Sequence, residues 1–234
     1  MEKLSSGSYD LNKWLGGGYD RDVITTFYGP GGSGKTNFCM LAVVHQARMG
    51  KKVIFIDTEG GFSLDRFRQL LGKDADSILN NVVLLKPTTF DEQWKAFGRL
   101  LKEIKNYVPE QIGCIVVDSI AMLYRLQIAE AEGDKEKIKK VNGVLVRQMR
   151  MLAEIARKKN IPILVVNQVY SDFEDKSKVN MVGGDILKYW SKCIIELKRE
   201  GFKRKAIIRK HRSLPEKEFN FEIVELGIRK KGLF

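Results

Sequence analysis

The stretch Gly29-Pro30-Gly31-Gly32-Ser33-Gly34-Lys35-Thr36 constrains this chain more than any other. Its spacing, G-x-x-x-x-G-K-[ST], is that of a phosphate-binding loop (Walker A), which works only between a strand and a helix. Residues 23–28 before it form an apolar, strand-like run, and residues 37–49 after it a helix-like one. Strand, turn and helix N-terminus together aim backbone N–H groups and the positive helix end at one point, which suits a polyphosphate. The pattern predicts that Gly29, Pro30, Gly31, Gly32, Ser33, Gly34, Lys35 and Thr36 hold a nucleotide. Lys35 would reach its β- and γ-phosphates and the Thr36 hydroxyl would sit on Mg²⁺.

A chain of 234 residues with 44% hydrophobic content is long enough for one well-buried α/β core, here read as a single domain over 1–234. No apolar run approaches a membrane span, and residues 1–7 lack the apolar stretch of a signal peptide, so the expectation is a cytoplasmic protein. Cys39, Cys114 and Cys193 lie far apart in apolar segments with no metal-ligand spacing. They read as small buried hydrophobes in a reducing compartment.

The formal net charge is +12, and residues 186–234 carry 14 Lys and Arg against 6 Glu, a balance of +8. Such a surface attracts polyanions, with nucleic acid the leading candidate. A Lys/Glu-rich solvated surface of the heat-adapted kind is the competing explanation.

In order, the chain predicts a short capped helix over 8–15 stopped by Gly16-Gly17-Gly18, then the loop and its helix, and a buried strand over 52–57. A helix over 63–71, a strand over 82–85 and a longer helix follow, the last placing Phe90, Trp94, Phe97, Leu101 and Ile104 on one apolar face. A strand over 111–118 ends on Asp118, and an acidic section, 130–140, separates two helices, the second over 141–159. The next strand, 161–166, ends at Asn167-Gln168; a polar loop over 170–185 and three β segments, 193–197, 205–210 and 218–224, complete the chain. The expectation is an α/β fold with a mostly parallel sheet, helices on both faces and an antiparallel C-terminal extension.

In such a sheet the strand C-terminal ends line one crevice. Glu59, Asp118 and Gln168, each at or just past a strand end, should therefore meet beside Lys35. Asp118 is placed to hold Mg²⁺ through water, and Glu59 to act as general base toward the attacking water. Gln168 is neutral and cannot be that base, but its amide can sense the γ-phosphate and pass its state to the loop that follows. Five cations, Lys198, Arg199, Lys203, Arg204 and Lys205, fall in and beside one turn, and Lys210, His211 and Arg212 near the next; both groups read as phosphate contacts for DNA, nonspecific and salt-dependent. His211 alone reads as a charged or hydrogen-bonded surface histidine.

The order and spacing of these segments resemble the RecA-type recombinase core. The resemblance is carried by 29–36, Ile56-Asp57-Thr58-Glu59-Gly60, Val116-Val117-Asp118-Ser119 with Leu123-Tyr124-Arg125, Val166-Asn167-Gln168-Val169, and Gly183-Gly184 with Leu214-Pro215-Glu216. It is strongest to the short archaeal paralogue of the recombinase RadA, which lacks that protein's N-terminal domain. It implies a RecA-like fold, ATP with Mg²⁺, and DNA bound through two mobile loops, about 127–142 and 170–185, adding Arg125, Lys176 and Lys178 to the DNA contacts.

Three filament-forming features of the family are missing or replaced. The upstream domain and its Phe-x-x-Ala linker are expected to be missing. The first loop shows Glu132-Gly133-Asp134-Lys135 and Lys140-Val141-Asn142 where the family carries arginine elements, and Lys210-His211-Arg212 stands where filament formers carry Asp-Ser-Pro. The resemblance therefore implies a mediator or regulator of recombination and branched-DNA processing with weak ATP turnover. RadA and a Holliday-junction resolvase would be its partners, and a homodimer stays open. Two further questions also stay open: whether ATP is hydrolysed to a purpose or only bound, and whether the chain is instead a signalling or clock-type ATPase of this fold that does not bind DNA.

Overall fold

The computed structural model describes residues 3–72, 75–171 and 179–232. In chain order the elements begin with β1 (Lys3–Leu4), α1 (Tyr9–Trp14), β2 (Tyr19–Asp20), β3 (Ile24–Tyr28), α2 (Lys35–Arg48), β4 (Lys52–Asp57), α3 (Leu64–Leu71), α4 (Ala75–Leu79), β5 (Val82–Leu85) and α5 (Phe90–Lys105). There follow β6 (Ile112–Asp118), α6 (Met122–Glu130), α7 (Lys135–Lys159), β7 (Ile163–Asn167), β8 (Val169–Ser171), β9 (Val179–Met181) and α8 (Gly184–Trp190). The chain closes with β10 (Cys193–Glu200), β11 (Lys203–Lys210), β12 (Glu218–Val224) and β13 (Gly227–Lys230).

Among the described residues nine strands share one sheet, in the order β13-β12-β11-β10-β3-β7-β6-β4-β5. From β10 to β5 every neighbouring pair is parallel, and β11, β12 and β13 extend the sheet antiparallel. The expected fold class holds. Alternation along the central strands splits their side chains between two cores. Phe27, Phe55, Val116 and Leu164 pack under α2, while Ile24, Ile54, Ile115 and Ile163 pack under α5 and α7. Strands covered on both faces read as continuous apolar runs, which is why β4 and β6 were visible in the sequence.

Helix starts follow local chemistry. Ser8, Ser63, Thr89 and Asp134 each accept backbone N–H groups of the first turn, satisfying donors that the helix cannot. The Asp134 cap moves the start of α7 six residues ahead of the expected 141. Residues 135–140 are Lys- and Glu-rich, which suits a solvated helix as well as a loop, so the expected first loop is mostly helix. The elements β1, β2, α4, β8, β9, α8 and β13 were not foreseen, and β8, β9 and the start of α8 fall where a polar loop over 170–185 was expected. In α5, Phe90, Phe97 and Ile104 are buried as expected, but Trp94 is 37% exposed, its ring 5.5 Å from the Arg147 guanidinium. Gln93 takes an inward position instead, donating to Gln148 Oε1 at 2.9 Å and to the Ile120 carbonyl at 3.1 Å.

Candidate nucleotide-binding site

Strand register builds the site. Asp57 lies opposite Asp118, Asp118 opposite Val166, Asn167 opposite Tyr28, and Tyr28 opposite Glu196, so the chain leaves these strands along one row. The phosphate loop follows β3 along that row. Its bends are carried by Gly32 (φ +68°) and by Gly34 (φ +106°), which caps α2. Gly29 is held by its neighbour strand: a Cβ there would lie 2.1 Å from the Leu197 carbonyl oxygen.

Lys35 is 7% exposed and its ammonium donates to the carbonyls of Gly29 at 2.8 Å and Pro30 at 2.9 Å. Burial lowers its pKa, while the nearby carboxylates of Glu59 and Asp118 pull it upward. The Thr36 hydroxyl donates to Asp118 Oδ2 at 2.6 Å. Burial raises the Asp118 pKa to about 7, against the stabilising Thr36 bond, with Glu59 and Asp57 adding to the rise. Among the described residues Asp118 Oδ1 has no hydrogen-bond partner although it is buried. A hydroxyl beside a buried carboxylate with a free oxygen is a donor set that fits a hydrated Mg²⁺.

Glu59 sits on a turn fixed by Asp57, whose carboxylate accepts the backbone N–H groups of Glu59, Gly61 and Phe62 at 3.3, 2.9 and 3.1 Å. Thr58 locks that turn to the end of β6: its hydroxyl donates to the Ser119 carbonyl at 2.7 Å and accepts the Ser119 N–H at 2.8 Å. Sequence reasoning gave neither residue a role, though a carboxylate two positions before an exposed Glu-Gly-Gly is the signal of an Asx turn. Gln168 Nε2 donates to Glu59 Oε2 at 2.9 Å. Asn167 Nδ2 donates to the Val182 carbonyl at 2.9 Å, and the Val182 N–H to the Gln168 carbonyl at 3.3 Å, so β8 and β9 leave from and return to the site. The structure therefore brings Lys35, Thr36, Glu59, Asp118 and Gln168 together, as expected.

The basic residues divide. On the β10–β11 pair Lys198 lies opposite Lys205, Arg199 opposite Arg204, and Glu200 opposite Lys203. Alternation places Lys198, Glu200, Lys203 and Lys205 on one face, where with Asn220 and Lys231 they line a cavity of about 260 Å³ that Arg204 also borders. Arg199 and Arg204, expected among the DNA contacts, lie on the other face against the phosphate loop. The second basic cluster is engaged within the chain. Arg212 pairs with Asp20 and Asp22, each at 2.9 Å, and the Lys210 ammonium donates to the Lys188 carbonyl at 2.8 Å. The His211 side chain is 2% exposed, so it is no surface histidine. Its Nδ1 accepts the N–H groups of Ser213 and Leu214, and burial lowers its pKa, which keeps the ring neutral. Arg125 is exposed on α6, while Lys176 and Lys178 lie outside the described residues.

A Gly-rich loop between the third strand and a helix, with carboxylates and an amide at neighbouring strand ends, defines a P-loop core of the RecA type. The Rad51 family model matches residues 1–231, and the chain belongs to that family. It is 40% identical over 226 residues to the DNA repair and recombination protein RadB of Methanobrevibacter smithii, covering 93% of this chain and 92% of that one. It is 38% identical over 230 residues to the protein of the same name from Methanococcoides burtonii, with 97% and 98% covered. A crystal structure of the RadB recombinase superposes with a TM-score of 0.77 at 35% identity, covering 96% of this chain and 98% of that one. The short archaeal paralogue to which the motifs pointed is RadB, so the resemblance is borne out.

Proposed function

We propose that this chain is an ATP- and DNA-binding protein of DNA repair and recombination. It hydrolyses ATP weakly and acts as a mediator or regulator of branched-DNA processing, without promoting strand exchange. The observation that carries this reading is the Gln168–Glu59 hydrogen bond, which joins the hydrolytic carboxylate to the start of the β8–β9 segment. The naming of the RadB relatives for DNA repair and recombination supports the assignment of the pathway.

Lys35 exchanges the Gly29 and Pro30 carbonyls for phosphate oxygens. Thr36, and Asp118 through water, would hold Mg²⁺, which would neutralise charge on the phosphates. Glu59 takes the proton of the attacking water, and Gln168 carries the presence of the γ-phosphate to the segment that begins at Val169. DNA lies along Lys198, Lys203 and Lys205, reached also by Arg125 and by Lys176 and Lys178. RadA and a Holliday-junction resolvase are the protein partners by family resemblance, and a cytoplasmic location completes the reading. Among the described residues no helix is long and apolar enough to cross a membrane.

ATP turnover measured with and without single-stranded DNA tests the catalytic half of this reading. Slow turnover that responds to DNA is the expected result; turnover at the background rate with no response to DNA leaves a binding module only. A mobility shift at low salt tests the other half, and no shift removes DNA from the assignment. Lys35→Ala is expected to abolish the response to ATP with the fold intact.

A further inference from the structure

Several cations of the sheet extension are neutralised within the chain. Arg209 pairs with Glu196, Arg212 with Asp20 and Asp22, Arg229 with Glu222, and Lys205 with Glu218, all at 2.6–2.9 Å. Arg199 and Arg204 are different. They face each other directly across β10 and β11, an arrangement that costs stability for like charges. Among the described residues neither meets a carboxylate: Arg199 Nε donates to the Gly201 carbonyl at 3.2 Å, and Arg204 Nε to the Gly32 carbonyl at 3.3 Å. Both stand at the phosphate loop, since a Cβ on Gly32 would lie 2.5 Å from Arg199 Nη1. The approach follows from strand register: β10 runs parallel to β3, pairing Glu196 with Tyr28, and continues past Gly29, so its next outward residue on that face reaches Gly32.

We propose that Arg199 and Arg204 are nucleotide-binding residues, supplying from the same chain two guanidinium groups to the polyphosphate held by the loop. Guanidinium forks match phosphate oxygens bidentately, and a polyanion relieves the repulsion between the two. The inference rests on the nucleotide site proposed above and adds to it a division of labour within one hairpin: arginines toward ATP, lysines toward DNA. A hairpin that grips both ligands couples them, and the coupling is reciprocal.

Calorimetric titration of ATP, ADP and AMP with Mg²⁺ into the full chain tests this. Arg199→Ala and Arg204→Ala should each weaken ATP about tenfold, ADP less and AMP not at all, with the Lys replacements recovering part of the loss. Lys102→Ala, on α5 over the other face of the sheet, should leave all three unchanged. Unaltered ATP affinity in both Ala variants overturns the inference, and so does an equal loss for AMP, which has no polyphosphate. If wild type binds ATP and Lys35→Ala does not, while the arginine variants match wild type, this inference alone fails. If wild type binds none of the three, the nucleotide site itself fails and takes the inference with it.

Discussion

Gln168 and Glu59, 109 positions apart in the chain, meet at 2.9 Å just past the ends of β7 and β4, across the intervening β6. The amide has one hydrogen-bonded hold on the Glu59 carboxylate, and its backbone precedes the segment that returns at Val182. Glu59→Gln should cut phosphate release by about 10²–10⁴-fold while ATP affinity holds, because only proton transfer is lost. Gln168→Ala should keep ATP binding but remove the effect of ATP on DNA affinity. A Gln168→Ala protein whose DNA affinity still follows ATP would sink the relay.

The lysine face should be readable from salt alone. The slope of log affinity for duplex DNA against log salt should flatten by up to about 0.9 for each lysine replaced by alanine at 198 or 203. Lys205→Ala should change it least, because its ammonium already pairs with Glu218 at 2.9 Å. Unchanged slopes at all three positions place the DNA elsewhere.

Two glycines of the phosphate loop should behave oppositely. Gly29→Ala drives a methyl group to 2.1 Å from the Leu197 carbonyl and should cost at least about 2–3 kcal/mol of stability in urea unfolding. Gly31→Ala meets nothing within 4 Å and should stay within about 0.5 kcal/mol of wild type. Equal effects at the two positions would contradict the close packing of β10 on the loop.

The three thiols are buried, and burial raises the pKa of Cys114 and Cys193 to about 12 and that of Cys39 well above its usual value. A disulfide reagent at pH 8 should leave the native protein unmodified and label all three in denaturant. The sign of the pH effect follows. Above about pH 9 the unfolded thiols lose protons that the folded ones keep, so stability is full below that pH and falls as pH rises toward 12. Each thiol contributes about 1.4 kcal/mol per pH unit in that window. A stability curve flat from pH 8 to 10.5 would contradict their burial.

Much of this was legible because buried parallel strands and a phosphate loop carry their chemistry in short local patterns. The runs ending at Asp57 and Asp118 gave β4 and β6, and strand-end logic brought Glu59, Asp118 and Gln168 together before any coordinates. What failed depended on partners distant in sequence. Trp94 has the spacing of a core residue, but its ring meets Arg147 at the surface while Gln93 turns inward to Gln148. Arg212 looks like a free cation until Asp20 and Asp22, some 190 positions upstream, are seen beside it. Arg199 and Lys198 are adjacent in one basic run, and only strand alternation assigns them to opposite faces of the sheet.

The helical state of α6 and α7 changes what the first of the two family loops can do. Of residues 127–142, all but the turn at 131–134 already lie in helices. Fixing a backbone costs about 1–2 kcal/mol per residue, so a ligand arriving at this surface meets a rigid rod whose ordering entropy was spent on folding. Binding there should show a small heat-capacity change and an association rate set by diffusion and charge.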